Sequence, residues 1–314
     1  MSILSFLSGC TLAAALPLAA LAQPFAYVPN EGSGSLSVID TSTDKVVAEI
    51  PVGTKPRGTV IGPDARTAYV SSQPNQLVIV DLASRKKTGS ITVGDSPEGV
   101  GISANGRWVA VSVEDSNDIA FVDTRTNKKS FVVHVQGKNP EHAVFSPDGK
   151  YVMVTAEEGN AVDVIDFAKR AVVAQIPVGA RPRGVGFSPD SKTAYVAAEL
   201  SNEFYVIDVV NFSVRTKLSA GLRINGVTVH PDGTRVFVSN GGDGTVSVFD
   251  VATNAFTATI PVGQRPWNMA ITPDGKKLYV ACGRSGTVAV VDTERNTKIT
   301  EIAVGKLPWG VTIH

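Results

Sequence analysis

Ile176-Pro177-Val178-Gly179-Ala180-Arg181-Pro182-Arg183-Gly184-Val185-Gly186-Phe187-Ser188-Pro189-Asp190, with Ala194-Tyr195-Val196 close behind, reads as a strand end, a tight connection through Gly179 and Pro182, an apolar strand, a Pro-Asp turn and a second strand. The same wording recurs along the chain. The glycine of that connection falls at Gly53, Gly94, Gly137, Gly179, Gly221, Gly263 and Gly305, at intervals of 41 to 43 residues. An independent landmark, the Asp closing each Val-Ile-Asp-like run, keeps the same period at Asp40, Asp81, Asp123, Asp166, Asp208, Asp250 and Asp292. Two landmarks with one period give seven copies of one unit.

The fourth unit holds four short strand patterns, Gly184 to Phe187, Thr193 to Ala197, Phe204 to Ile207 and Val214 to Leu218, parted by Pro, Asn and Asp turns with no helical periodicity between them. One four-stranded sheet cannot cover both its faces. Seven in a ring can, which predicts an all-β, seven-bladed β-propeller of four-stranded antiparallel blades. The ends predict how the ring closes. Ala26-Tyr27-Val28, Leu36 to Ile39 and Val46 to Ile50 match the last three strands of a unit, and Pro308 to His314 match only the first. Three N-terminal strands plus one C-terminal strand therefore complete the seventh blade and leave no exposed edge. On the innermost strands small Val60, Gly101, Val144, Gly186, Thr228, Ala270 and Thr312 precede large Ile61, Ile102, Phe145, Phe187, Val229, Ile271 and Ile313, a pattern suited to wedges narrowing toward an axis.

The 314 residues read as one such domain over 23–314, behind a leader over 1–22. Lys plus Arg number 29 and so do Asp plus Glu, so no net field favours nucleic acid. Residues 1–22 are apolar and end Ala20-Leu21-Ala22, a small-residue cleavage pattern that predicts a signal peptide, export to the periplasm or beyond, and Gln23 as the mature start. The alternative is a lipoprotein, because Leu7-Ser8-Gly9-Cys10 resembles a lipobox. No transmembrane segment is expected after processing, and a monomer is expected. Cys282 is then the one mature thiol; it lies in a strand pattern and reads as a packed apolar residue, so no disulfide is expected. The seven Asp residues read as turn residues that hydrogen-bond the backbone after them rather than as catalytic carboxylates.

Tyr69-Val70-Ser71, Tyr195-Val196-Ala197 and Tyr279-Val280-Ala281, with the recurring Ile-Pro-Val-Gly, Pro-Arg-Gly and Ser-Pro-Asp-Gly-Lys, resemble the YVTN family of β-propeller repeats from about Ala26 to His314. The resemblance implies a role at a cell envelope, and one branch of exported seven-repeat members is associated with pyrroloquinoline-quinone-dependent alcohol oxidation.

Loops before the first strand and between the second and third strands share one face, the rim of the central channel. The scaffold there repeats, so function is expected where the copies differ. After the Pro of each connection stand Arg57, Glu98, Glu141, Arg183, Asn225, Trp267 and Trp309, with His142 and Asn268 one step on in place of Gly. Converging polar and aromatic groups at a channel mouth suggest a binding rim for a small acid or an envelope protein partner. The second-to-third loops add Glu31, Glu114, Asp115, Glu157, Glu158, Glu199, Asp243 and Arg284, giving units two to four an acidic arc opposite Arg57, Arg265, Trp267 and Trp309. His142, Glu141 and Glu157 are the candidates for a divalent metal or a general base, and no cofactor is specified. No nucleophile elbow, phosphate loop or haem-attachment pair is present. The leading expectation is a non-catalytic binding propeller accessory to an envelope oxidation system. The alternatives are a hydrolase similar to propeller lactonases and, third, a carrier or maturation protein resembling the haem d1 propellers.

Overall fold

The computed structural model describes residues 24–314; the predicted leader, with Cys10 and the cleavage point, lies outside them. The described residues form 28 strands in seven four-stranded antiparallel sheets and no helix, so none is long and apolar enough to cross a membrane. Blade one comprises Thr54–Ile61, Thr67–Gln73, Gln76–Asp81 and Lys86–Thr92, running outward from the axis. Blades two to six repeat it from the inner strands Pro97–Ile102, Pro140–Phe145, Pro182–Phe187, Ile224–Val229 and Pro266–Ile271. Blade seven is closed as the ends predict: Phe25–Asn30, Ser35–Asp40 and Lys45–Pro51 are joined by Thr312–Ile313, with Ala26 opposite Ile313 and Tyr27 opposite Thr312.

Each inner strand packs against the inner strands of its two neighbours, closing the ring. The core is correspondingly divided into seven clusters, each filled from two adjacent blades; Met153, Val162 and Val164 of blade three, for example, meet Val185, Val196 and Ile207 of blade four. The size alternation has the expected cause. A side chain in place of Gly101 would run into the Ala143 carbonyl of the next inner strand, so the small set lies where blades approach most closely.

The turn chemistry also follows the sequence. All seven ladder Asp residues accept a hydrogen bond from a backbone N–H two or three residues on, at 2.6 to 3.0 Å. Side-chain hydrogen bonds from Ser42, Ser84, Lys169 and Arg215 at Asp40, Asp81, Asp166 and Asp208, and the backbone bonds at Asp123, Asp250 and Asp292, are the largest causes that hold these carboxyls below the usual range. Four residues after each Asp the chain turns left-handed, at Asp44, Arg85, Asn127, Arg170, Phe212, Asn254 and Asn296. Two of these turn residues also tie blades together: Tyr69 donates its hydroxyl to Asn127 of blade two at 2.7 Å, and Tyr279 donates to Asp44 of blade seven.

Candidate functional site

The rim side chains are aimed by a recurrent irregularity. Each inner strand pairs at its Pro or Ile, then skips: Pro97 opposes Val113 and the next pair is Val100 with Val111, and the same shift occurs at Pro182, Ile224 and Pro266. A bulge breaks the alternation of side chains and re-aims the residue after Pro. Its backbone is then pinned from the preceding blade. Ser71 Oγ donates to the Glu98 carbonyl at 2.5 Å, Thr155 Oγ1 to that of Arg183 at 2.5 Å, and Ser239 Oγ to that of Trp267 at 2.6 Å.

Two adjoining spaces result. An outer basin of about 350 Å³ is lined by Glu31, Arg57, Glu114, Glu141, Glu157, Arg181, Arg183, Asn225, Trp267, Asn268 and Trp309. Adjoining it, an inner cavity of about 130 Å³ is lined by Thr59, His142, inner-strand residues such as Val100, Gly184 and Val227 and, again, Arg57, Asn268 and Trp309. These last three separate the two. Seven of the nine expected rim residues thus meet in the basin. His142 faces the inner cavity instead, its ring stacked on Trp309 with centroids 5.3 Å apart. Glu98 is buried beside Arg57, which it ion-pairs, and lines neither space.

The charges are not the opposed arcs that the sequence suggests. Arg183 lies among the acidic residues and bonds Glu141 at 2.5 Å, Glu157 at 2.7 Å and Glu199 at 3.0 Å. Arg181 bonds Glu157 at 2.8 Å, and Arg57 reaches Glu31 at 3.3 Å as well as Glu98. Glu199 is the hub: fully buried, it also takes Arg223 at 2.8 Å and Arg265 at 2.7 Å. Burial alone would raise its carboxyl, but the hydrogen bond from Arg265 and the charge of Arg183 outweigh it and lower it to about 2. Glu157 goes the other way, raised by burial and by Glu141 despite Arg183.

His142 is neutral. Both ring nitrogens are buried and have no well-formed hydrogen-bond partner, and Asn268 beside them offsets only part of the pKa shift. Burial, reinforced by the Arg183 charge, lowers its pKa to about 4. Thr59 Oγ1 in the same cavity and Asn225 Nδ2 are likewise buried and unpartnered. Among the described residues no group of three His, Cys, Asp or Glu side chains is placed to hold a metal. Between Glu141 and Glu157 the cation is the Arg183 guanidinium, so that pair does not fit a divalent ion. Cys282 is fully buried, and burial pushes its thiol up to about 12, which makes it the packed residue expected.

Sequence reasoning missed Arg181 and Arg223 as site residues. They occupy the left-handed position before the Pro (Ile224 in the fifth unit), the third residue of a run with Arg265 at the same period. Three arginines recurring at one register of the repeat were the signal.

Comparison with known proteins gives partial matches only. Residues 166–306 match the family described as lactonase, 7-bladed β-propeller, and residues 23–134 match the cytochrome D1 haem domain. A comparison with curated proteins finds no significant match. Among solved structures, hydrazine synthase of Kuenenia stuttgartiensis is similar at 22% identity and TM-score 0.74, over 81% of this chain and 88% of that one. A Bacteroides uniformis protein with a provisional 6-phosphogluconolactonase assignment gives 20% and 0.78, over 93% and 100%. The dihydro-heme d1 dehydrogenase NirN gives 17% and 0.71, over 92% and 74%. At these identities the likeness is one of fold.

Proposed function

We propose that this protein is an exported binding propeller, whose basin holds a small polar molecule without transforming it. The carrying observation is that the basin's guanidinium and carboxylate groups are already locked to one another, Arg57, Arg181 and Arg183 each to carboxylates of the rim. Such pairs are a preorganised set of donors and acceptors, which favours binding by removing the cost of ordering side chains. A volume of about 350 Å³ suits a small molecule rather than a protein segment. Arg57 and Arg183 are occupied, so a simple acid finds no free cation among them. The buried, unpartnered amide nitrogen of Asn225 asks for an acceptor, and Trp267 offers a flat wall. The envelope role, and a place beside a quinone-dependent oxidation, rest on the YVTN resemblance and the leader.

Screening the mature protein against neutral polyhydroxylated and amide-bearing compounds by calorimetry tests this. Binding is expected to weaken about tenfold in Asn225→Ala and in Asn268→Ala, from the loss of one or two buried hydrogen bonds. Binding unchanged in both variants would remove the ligand from the basin.

One observation supports a hydrolase instead. The raised Glu157 carboxyl is a candidate proton acceptor, and the lactonase match covers blades four to six. A lactone panel decides: turnover lost in Glu157→Gln would establish hydrolysis, and none is expected. The haem d1 alternative is the less fitting, because His142 lies flat against Trp309 with buried nitrogens and presents no lone pair to a macrocycle on the rim.

A further inference from the structure

In four blades the residue that follows the second strand is a carboxylate, Glu31, Glu114, Glu157 or Glu199; in blades five and six it is Gly241 and Gly283. The change removes charge and adds room. A Cβ at Gly241 would stand 2.9 Å from Arg265 Nη1, and one at Gly283 would stand 2.8 Å from the Trp267 ring. The two side chains therefore fill the space that the other blades give to Glu.

Beside them opens a separate cavity of about 470 Å³ that shares only Trp267 with the basin. Arg223, Arg265 and Arg284 line it, together with Gly241, Gly242 and Leu307, and no carboxylate does. Arg223 and Arg265 are held rigid by the one Glu199 carboxylate, which already serves Arg181 and Arg183. Arg284 is exposed and makes no ion pair among the described residues. The Arg265 guanidinium carbon lies 6.0 Å from the Trp267 ring centre.

We propose that this cavity is an oxyanion site for a small molecule carrying a phosphate or a pair of carboxylates, with a flat or apolar body against Trp267 and Leu307. Guanidinium forks match the oxygens of either group bidentately. Three arginines and no carboxylate line the cavity itself, Asp243 and Glu301 lying in the adjoining space, and Arg284 has no ion-pair partner among the described residues, so an anion is drawn to Arg284 without displacing an existing pair. This goes beyond the basin ligand and does not depend on it.

The probes are phenyl phosphate, and phthalate as its dicarboxylate counterpart, titrated calorimetrically into the full mature chain. Saturable binding of at least one is expected, weakened about tenfold or more in Arg284→Gln by loss of a charged hydrogen bond. Binding is expected to be weaker still at about 0.5 M salt, where the field of an open site is screened. Arg284 is exposed and unpaired, so Arg284→Gln leaves the fold intact, and Asn225→Ala, in the basin, is expected to leave probe binding unchanged. Which probe binds tells phosphate from carboxylate. No binding of either up to about 10 mM, an affinity worth only some 3 kcal/mol, would overturn the proposal. So would binding that Arg284→Gln leaves intact while Asn225→Ala removes it.

Discussion

His142 shows how one neighbourhood decides what a residue can do. The imidazole would be a base or a ligand on the rim; in the inner cavity, stacked on Trp309 with both nitrogens buried, it is held neutral. The charges that face it oppose each other, Arg183 lowering its pKa and Glu157 raising it, and burial settles the balance at about 4 against the ordinary 6.5. The unfolded chain therefore takes a proton on His142 near pH 6.5 and the folded chain only near 4. The stability it contributes is present above pH 6.5 and is lost as the pH falls from there toward 4. Over that window the loss amounts to about 3 kcal/mol at most. Urea unfolding at pH 7 and at pH 4.5 is expected to show His142→Phe, which keeps an aromatic ring against Trp309, losing less stability on acidification than the parent. Equal losses would mean that the ring is solvated.

At the scale of elements, the strand order and the turns were legible because period-2 patterning and turn residues are local signals. The Pro-Asp turns give a direct energetic test. The residue after the Asp is left-handed in each, as Gly149, Gly233 and Gly275 but also as Ala65 and Ser191. An L side chain at positive φ costs on the order of 1 kcal/mol, which glycine avoids. Ala65 is exposed, so Ala65→Gly is expected to raise stability by about 0.5 to 1 kcal/mol. Gly149→Ala is expected to lower it by about 1 kcal/mol, through strain alone, because a Cβ there would touch nothing within 4 Å. Denaturant midpoints of the two variants check the pair of opposite signs. The rim was less legible for a physical reason. Sequence position told which residues reach the channel mouth, and the repeat register marks the arginines, but ion pairing joins residues as far apart as Glu199 and Arg265, 66 positions along the chain, and periodicity does not say which carboxylate an arginine meets.

For the whole molecule the closure is the governing feature, and it was readable because the two ends supply complementary parts of one unit. Seven core clusters each need both neighbouring blades, so opening the ring exposes two faces together. Ending the chain after Leu307 removes Thr312–Ile313 and leaves Phe25–Asn30 as a bare edge beside a cluster of Ala26, Val28 and Tyr279 that has lost Val311 and Ile313. The truncated protein is expected to unfold at lower denaturant and to associate through that edge, as seen by size-exclusion chromatography. A monomer as stable as the parent would show that the closing strand is dispensable. The glycine-for-glutamate exchange in blades five and six is the corresponding departure from symmetry, and it sits beside Arg284, which lines a cavity without a carboxylate.

The most direct test of the binding function uses the three tryptophans of the chain. Trp267 and Trp309 line the basin, and Trp108 packs far from it against Phe131 and Phe167. Their three indole N–H resonances, in a nitrogen-15 labelled mature protein, are followed while the small-molecule fraction of its own cells is added. Saturable shifts of Trp267 and Trp309 with Trp108 unmoved are the result that a basin ligand requires. Three unmoved resonances, or a shift confined to Trp108, would contradict it.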